Sequence, residues 1–342
     1  MKQFMTNDDK YSRQILFAPL GLEGQQKLRA GKAVIVGCGA LGTAQASALV
    51  RAGIGRLRIV DRDFVEESNL QRQILFDEAD ARDNLPKAIA AQRKLNAINS
   101  EVEVEPVIAD VDSRNIEDMV RGFQVILDGT DNFEARYLLN DAALKLGIPW
   151  IYGAAVASDA ATLTIVPGRT PCLACIFPAP PQGIHDTCET VGVIAPAVAW
   201  AAAIQVTEAI KILIGRENDL HGSLLSYDIW ENRFQNVKPR IDPECQACGR
   251  RDFVHLAGRT STSTTLCGLD AVQIRQPDPR GLDLAALKTR LEKFGEVRSN
   301  PFLLKCALDP YELTVFPDGR AIIRGTQDPA VARSIYAKYV GT

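Results

Sequence analysis

The sequence predicts an α/β fold in which a doubly wound parallel sheet continues into a more antiparallel half with a structural zinc site, followed by a small α+β domain. Three observations support this prediction. Strand-like apolar runs alternate with helical segments through the first half of the chain, as in parallel sheets. A glycine-rich segment, Gly37-x-Gly39-x-x-Gly42, joins one such strand to a helix. Two CxxC pairs, which begin at Cys172 and Cys245, enclose a long apolar segment.

The first half of the chain reads as alternating helices and strands. A helix over 11–30 is interrupted by Gly21 and Gly24, and the proline at position 86 favours the start of a later helix. In order, the predicted elements are helix 11–30, strand 33–38, helix 39–52, strand 55–61, helix 86–98, strand 102–108, a helical stretch from 113, strand 123–128, helix 132–145 and a strand from 150.

From about residue 151 the pattern favours antiparallel strands, at 161–166, 223–227 and 232–237. The apolar segment 192–215 is long enough to span a membrane. It contains Gln205, Glu208 and Lys211, whose charged and polar groups are costly in lipid. We therefore expect a buried helix that packs against the sheet or a second subunit.

A polar stretch marks the end of this region and predicts a linker at 257–265. The expected organisation is one domain over 1–256 and a small α+β domain over 266–342, whose role the sequence leaves open. Its FPDGR segment predicts a hairpin turn. Its predicted elements are 271–274, 284–293, 302–307, 311–316, 321–324 and a helix over 329–339.

The composition argues against several classes of partner. The 342 residues are 46% hydrophobic and 24% charged, with a net charge of −3 and no basic run. A nucleic-acid partner therefore gains no support. The N-terminal MKQFMTNDDK is polar and acidic, unlike a signal peptide. We expect a cytoplasmic protein without a membrane partner, in a compartment where CxxC pairs bind zinc rather than form disulfides.

The four cysteines of the CxxC pairs predict a zinc site. Four thiolates complete the tetrahedral coordination of Zn²⁺ and leave no open position, so such a site is structural. The ligands would be Cys172, Cys175, Cys245 and Cys248. The alternative is four unrelated buried cysteines. In either case the chemistry has to be sought at the glycine loop.

The glycine loop predicts a Rossmann-like phosphate site. Gly37, Gly39 and Gly42 let the backbone approach phosphates, whose charge is favoured by the N-terminus of the following helix. Asp61 ends the next predicted strand, where an acid binds ribose hydroxyls. These features fit NAD and ATP equally.

Polar and cationic residues, one near the N-terminus and the others after the second strand, favour a triphosphate over a dinucleotide. NAD carries only a diphosphate and needs few cations, whereas this chain offers Arg13, Asn69, Arg72, Gln73 and Lys87. Asp131, after a strand end, is a candidate ligand for Mg²⁺. Any one of the cations taken singly could be a solvated surface charge, but together they predict ATP and Mg²⁺ as cofactors.

Several motifs follow one another along the chain: SRQI at Ser12, GCGALG at Gly37, DxDxVxxSNLxRQ from Asp61, PK at Pro86, the DGTDN segment and the two CxxC pairs. In these motifs the chain resembles the ThiF/MoeB/HesA family, the bacterial relatives of ubiquitin-activating enzymes. The resemblance covers roughly residues 10–250 and departs from the family at Ala40, where a second consecutive glycine is common. The C-terminal residues do not resemble a rhodanese domain, so we expect a separate sulfur donor.

The resemblance implies a reaction. ATP and the C-terminal Gly-Gly carboxylate of a small ubiquitin-like sulfur carrier, ThiS-like or MoaD-like, would give an acyl-adenylate and pyrophosphate. Such carriers serve thiamine or molybdopterin biosynthesis or tRNA thiolation. A peptide carboxylate has a pKa of about 3.5, so it is already ionised and needs no general base. Cations, magnesium and positioning should therefore supply most of the catalysis.

The resemblance also implies roles for the site residues. Asp61 would bind the ribose, Asp131 the magnesium ion, and Arg13 would act from the other subunit of a homodimer. By analogy with arginine fingers, loss of Arg13 would cost about 10³-fold in rate. The phosphate ligands would be Asn69, Arg72, Gln73 and Lys87.

Cys188 is a further catalytic candidate. It precedes the apolar segment, and a thiol near a helix N-terminus can be nucleophilic. In the family, a cysteine in this loop can attack the activated carrier or join it by a persulfide-type linkage, or it can have no essential role; both interpretations stay open. No site role is predicted for the remaining cysteines and histidines: Cys38, Cys267, Cys306, His185, His221 and His255.

Three alternatives remain at the sequence level. Adenylation could act on a different acceptor, either a peptide or a tRNA nucleoside. The chain could instead be a non-catalytic dimeric scaffold, although its full set of charged residues argues against this. An NAD-dependent oxidoreductase is the weakest alternative, since no acid–base pair is visible in the second half.

Overall fold

A computed structural model describes residues 9–179, 191–258, 263–265, 270–274 and 281–341. The chain divides into two compact units, Met1–Arg259 and Thr260–Thr342. Each unit has its own sheet.

The first unit contains nine described helices and eight strands. Its helices are α1 Ser12–Ile15, α2 Gly21–Ala30, α3 Ala40–Ala52, α4 Glu78–Arg82, α5 Lys87–Ile98, α6 Ile116–Val120, α7 Phe133–Leu146, α8 Leu173–Ile176 and α9 Ala195–Leu213. Its strands are β1 Lys32–Val36, β2 Arg56–Asp61, β3 Glu103–Ile108, β4 Val125–Asp128, β5 Trp150–Val156, β6 Asp159–Ile165, β7 Leu224–Asp228 and β8 Arg233–Val237.

These strands form one sheet in the order β3-β2-β1-β4-β5-β6-β7-β8. The first five strands of this order, β3, β2, β1, β4 and β5, are parallel to one another. The pairs β5–β6, β6–β7 and β7–β8 are antiparallel. This confirms the predicted parallel sheet with an antiparallel continuation. The direction of strand progression reverses between β1 and β4, and a ligand of an open α/β sheet binds at such a switch point.

The parallel strands are covered on both faces. One core contains Ile35 and Leu57 beneath α3, α5 and α9, and the other contains Ile126 and Trp150 beneath α6 and α7. Burial on both faces explains why β1 and β4 are continuous apolar runs without alternation. The carboxyl ends of these strands and the N-terminus of α3 are thereby held at one edge of the sheet.

Helix α9 is the one helix of the described residues that is long and apolar enough to cross a membrane. It packs against β4, β5, β6 and α3. Two of its polar residues are buried and hydrogen-bonded: Gln205 Nε2 donates to the carbonyl oxygens of Asp128 and Ile151, and Glu208 accepts from Lys211 and Thr164. The predicted buried helix against the sheet is confirmed.

The second unit is a six-stranded antiparallel sheet with two described helices. Phe316 N–H donates to the Arg320 carbonyl oxygen (2.9 Å), which forms the predicted FPDGR hairpin. Its sheet order is β11-β12-β13-β14-β10-β9. The elements are β9 Ser263–Thr265, β10 Ala271–Ile274, α10 Leu284–Leu291, β11 Val297–Asn300, β12 Leu303–Leu308, β13 Tyr311–Val315, β14 Ala321–Arg324 and α11 Pro329–Tyr339.

Candidate active site

Three glycines bring the loops after β1 and β4 into backbone contact. Gly37 has a φ of +93°, and a Cβ there would lie 2.4 Å from the carbonyl oxygen of Gly129. A Cβ at Gly42 would lie 2.0 Å from the carbonyl oxygen of Gly37. Only glycine fits these positions. The contact lies at the switch point, so the predicted phosphate loop stands where a ligand is expected.

The loop leaves room above the start of α3. Gly39 is the N-cap of α3, and a Cβ there would meet nothing closer than Gln73 Nε2, at 3.9 Å. Among the residues that the structure describes, no side chain caps this helix. The first backbone N–H groups of α3 therefore keep donor capacity for an anion, as a phosphate site requires.

Asp61 connects the end of β2 to the glycine loop. Its carboxylate is 8% exposed and accepts hydrogen bonds from the N–H groups of Cys38 (2.5 Å) and Asp63 (2.6 Å). Burial raises the pKa of Asp61, and the nearby charge of Lys87 partly offsets this. Each carboxylate oxygen has a second lone pair that can accept a hydrogen bond from a ribose hydroxyl.

Lys87 is a buried cation at the first position of α5. It is 7% exposed, and its Nζ lies 3.3 Å from Asp63 Oδ2. Burial lowers the pKa of Lys87, but the carboxylates of Asp63, Asp61 and Asp131 outweigh it, so the pKa is raised overall. Lys87 is therefore protonated at neutral pH. These electrostatic interactions indicate that Lys87, Asp61 and Asp131 lie near one another.

Arg62 is a second cation of this cluster, and the sequence analysis missed it. Its Nη1 lies 3.1 Å from Asp110 Oδ1, and its Nε lies 3.5 Å from Asp63 Oδ1. Burial lowers the pKa of Arg62, but these two carboxylates, with Asp131 and Asp61, raise it overall. The only available signal was its position between two acids in the DRD segment.

The predicted phosphate ligands after β2 lie on and after a 3-10 turn at Glu67–Asn69. Asn69 is buried, and its Oδ1 accepts from the Glu66 N–H (3.2 Å). Arg72 is half-buried, with Nη1 donating to the Ser68 carbonyl oxygen (2.8 Å). Gln73 is buried beside Gly39, and its Oε1 has no hydrogen-bond partner among the residues that the structure describes.

The loop that carries Asp131 is held by a buried ion pair. Asp128 is fully buried, and its Oδ1 accepts from the N–H (2.9 Å) and hydroxyl (2.7 Å) of Thr130. Arg136 Nη2 donates to the carbonyl oxygens of Thr130 (2.9 Å) and Gly153 (3.1 Å), and its Nε lies 3.4 Å from Asp128 Oδ2. Asp131 itself is exposed on this loop, and carboxylate oxygens are ligands that suit Mg²⁺.

The four CxxC sulfurs come together in one cluster. All lie within 4.8 Å of one another, and the cysteines are free rather than disulfide-bonded. The Sγ–Sγ distances are 3.8 Å for Cys172–Cys175, 3.6 Å for Cys172–Cys245 and 3.3 Å for Cys175–Cys248. A tetrahedron with Zn–S bonds of about 2.3 Å has sulfurs about 3.8 Å apart, so the donor set fits zinc. The interpretation as four unrelated cysteines is wrong.

Helix α7 anchors this cluster. Asn140 Oδ1 accepts from the Leu173 N–H (2.9 Å), and the Tyr137 hydroxyl donates to the Phe177 carbonyl oxygen (2.5 Å). Cys172 and Cys245 are buried in the core beneath α7, on the opposite face of the sheet from the core of α3. The cluster therefore supports the fold and does not line the glycine loop.

Arg13 lies far from the glycine loop of its own chain. It is exposed on α1, between Tyr11 and Gln14. A Cβ at Gly53 would lie 2.5 Å from Cζ of Tyr11, and Gln14 Nε2 donates to the Ala52 carbonyl oxygen (2.8 Å). These contacts are at the C-terminal end of α3, whose 13 residues span about 20 Å from the loop.

The cysteines and histidines outside the CxxC pairs have the following environments. Cys38 and Cys306 are buried. Cys188, His185 and Cys267 lie outside the described residues. His221 has a partner that the sequence analysis did not recognise: its Nε2 lies 3.5 Å from Glu208 Oε2, and its Nδ1 accepts from the Ser223 N–H.

Comparison with known proteins identifies the family. The ThiF family profile matches residues 11–247. The chain belongs to the ThiF family. A ThiS adenylyltransferase of Bacillus subtilis (strain 168) is 48% identical over 97% of this chain and 99% of its own length. A SAMP-activating enzyme E1 of Haloferax volcanii is 41% identical over 71% of this chain and 90% of its own length.

Solved structures share the fold of this ThiF-family chain. E. coli MccB in complex with ATP is 25% identical, with a TM-score of 0.61 over 71% of this chain and 75% of that chain. MccB with AMPCPP and MccA gives the same coverage, with a TM-score of 0.62.

Proposed function

We propose that the chain uses ATP to adenylate the C-terminal Gly-Gly carboxylate of a small ubiquitin-like sulfur carrier, ThiS-like or MoaD-like. The Bacillus subtilis relative is named a sulfur carrier protein ThiS adenylyltransferase, and the Haloferax volcanii relative a SAMP-activating enzyme E1. One structural observation carries the proposal. The buried, protonated Lys87 lies 3.3 Å from Asp63 and interacts electrostatically with Asp61 and Asp131, beside a glycine loop with room for phosphates.

In this proposal ATP lies across the carboxyl ends of β1 and β2. Its phosphates contact the backbone of Gly37, Gly39 and Gly42, and its ribose contacts Asp61. Asp131 holds a magnesium ion, which would neutralise the charge of the triphosphate. The side chains around the phosphates are Asn69, Arg72, Gln73 and Lys87.

The chemistry follows from the charges. A carboxylate oxygen of the carrier attacks the α-phosphorus of ATP, and the bond from this phosphorus to the α–β bridging oxygen breaks. The electron pair leaves with pyrophosphate, and no proton is transferred. The obstacle is the approach of one anion to another, which Lys87 and Arg72 reduce by placing positive charge at the departing phosphates.

Arg13 acts from a second copy of the chain in this proposal. Its distance from its own glycine loop supports this assignment, as does its exposure. A homodimer would then complete each site with one cation from the partner. Arg13 in this position would stabilise the transition state, by analogy with arginine fingers.

The proposal also includes a structural zinc ion and a separate source of sulfur. Zinc held by the four CxxC sulfurs would join the segment after β6 to the segment after β8. Sulfur would come from a separate donor. Cys188 is the candidate for a covalent link to the activated carrier.

ATP–pyrophosphate exchange tests the proposed function. We expect exchange with a ThiS-like carrier, since the Bacillus subtilis relative is named for ThiS, and less with a MoaD-like carrier. The control is the same carrier without its last glycine, which should support no exchange. Exchange in the absence of any carrier, or with none of the carriers, would contradict the proposal. The peptide MccA belongs in the panel because of the structural likeness to MccB.

A further inference from the structure

Arg62 is a cation of the site that the proposed function leaves without a role. It directly follows Asp61, the predicted ribose residue. Its Nη1 lies 3.1 Å from Asp110 Oδ1, and the two side chains are only 24% and 14% exposed. Asp110 comes two residues after the end of β3. The ion pair therefore bridges the carboxyl ends of β2 and β3.

The direction of a bound nucleotide places its base next to this pair. The phosphates contact the glycine loop after β1, and the ribose contacts Asp61 at the end of β2. The base is attached to the ribose on the side away from the phosphates. It must therefore lie beyond β2, towards β3, because β2 separates β1 from β3 in the sheet. Arg62 and Asp110 occupy this part of the sheet edge.

We propose that Arg62, held in place by Asp110, forms the wall of the ATP pocket against the adenine, with its guanidinium plane stacked on the base. A guanidinium is planar and stacks well on aromatic faces, which an ammonium does not. The ion pair holds the side chain before the nucleotide arrives, so little side-chain freedom is lost on binding. The inference rests on the proposed function, because it requires ATP at this site.

Equilibrium binding of two ligands to the full chain tests the role of Arg62. AMP contains the base, whereas inorganic tripolyphosphate contains only the phosphates. We expect Arg62→Ala and Arg62→Lys each to weaken AMP binding about 10-fold, the value of one stacked base. Tripolyphosphate binding should stay within about 2-fold of the unaltered chain, because its ligands lie at the glycine loop. Isothermal titration calorimetry measures both.

A matched control is available on the same two strands. Arg56 Nη2 lies 2.7 Å from Glu105 Oε2, so Arg56→Ala also removes an ion pair between β2 and β3, but at the start of β2. We expect Arg56→Ala to leave both affinities unchanged. Thermal unfolding of each variant shows whether it is folded under the conditions of the titration.

Several results would overturn the role of Arg62. Equal losses of AMP and tripolyphosphate affinity would mean that Arg62 binds phosphates. Unchanged AMP affinity in Arg62→Ala would remove it from the pocket, and unchanged affinity in Arg62→Lys would exclude stacking. If the unaltered chain binds ATP but gives no pyrophosphate exchange with any carrier, the proposed function fails while the role of Arg62 can still hold.

Discussion

Lys87 and Asp61 show how two buried charged residues can be kept at the edge of a sheet. Burial alone would favour the neutral form of each. Lys87 instead has a raised pKa because three carboxylates face it, and Asp61 accepts two backbone hydrogen bonds. Lys87 is thereby kept protonated, and both side chains are fixed before a ligand binds. Such preorganised charge is worth more in catalysis than mobile surface charge.

Replacement of Lys87 by alanine should lower pyrophosphate exchange about 10³-fold, because it removes a preorganised cation from the triphosphate. The matched control is Lys94→Ala on the same helix, whose ammonium pairs with Asp77 and Asp80 away from the glycine loop. We expect Lys94→Ala to retain most of the activity. A comparable loss in both variants would attribute the effect to helix α5 as a whole.

At the scale of elements, the buried pair Asp128–Arg136 joins the end of β4 to helix α7 and to β5. Replacement of Arg136 by alanine would leave Asp128 buried without its cation. We expect the free energy of unfolding to fall by about 3 kcal/mol, and by less in a double variant that also carries Asp128→Asn. Urea unfolding followed by tryptophan fluorescence measures this, since all three tryptophans lie in the first unit: Trp150, Trp200 and Trp230.

The same variant should show a characteristic pH dependence. Burial already raises the pKa of Asp128, and loss of the Arg136 charge raises it further. The folded state then binds a proton at pH values where the unfolded state does not, so lowering the pH stabilises the folded form. The deficit of Arg136→Ala should therefore shrink as the pH falls below neutrality. A deficit independent of pH would mean that Asp128 is not the group left unpaired.

The zinc cluster is a second feature at this scale. Cys245→Ser should reduce the zinc content from about one ion per chain to nearly none, because a structural site needs all four thiolates. The thermal unfolding temperature should fall, while the affinity for ATP of the folded variant should change little. Metal analysis and calorimetry measure these effects. Cys306→Ser, in the second unit, is the control and should keep its zinc.

At the scale of the whole molecule, the position of Arg13 predicts that two inactive chains can restore each other. Arg13→Ala should retain ATP binding but lose turnover, and Lys87→Ala should lose turnover in the same assay. An equimolar mixture should recover about a quarter of the unaltered activity, since half of the dimers are mixed and each has one complete site. No recovery after subunit exchange would place Arg13 outside the site.

The sequence predicted the first unit well because its strongest signals are local. The glycine loop, the acid at the end of β2 and the lysine at the start of α5 are set by short motifs, and the observed elements start within a few residues of the predicted ones. Helix α11 begins and ends as predicted because Asp328 and Pro329 mark its start. The CxxC spacing predicted the sulfur cluster for the same reason.

What the sequence did not show depends on contacts between distant residues. Arg62 joins the site through Asp110, 48 residues away, and Arg136 holds Asp128 and Gly153 across three elements. His221 meets Glu208 only because α9 packs against the sheet. The short strand β11 and helices α4 and α8 were also missed. Their few residues carry too weak a periodicity to be recognised.

The backbone contact between Gly37 and Gly129 has a consequence for how substrates arrive. Because neither residue has room for a Cβ atom, the turn that we propose to receive the phosphates and the turn that carries Asp131 are held together by close backbone contact. The conformational entropy of these two turns is therefore lost when the chain folds and not when the nucleotide binds. The flexible tail of the incoming carrier is then the partner that loses conformational entropy on binding.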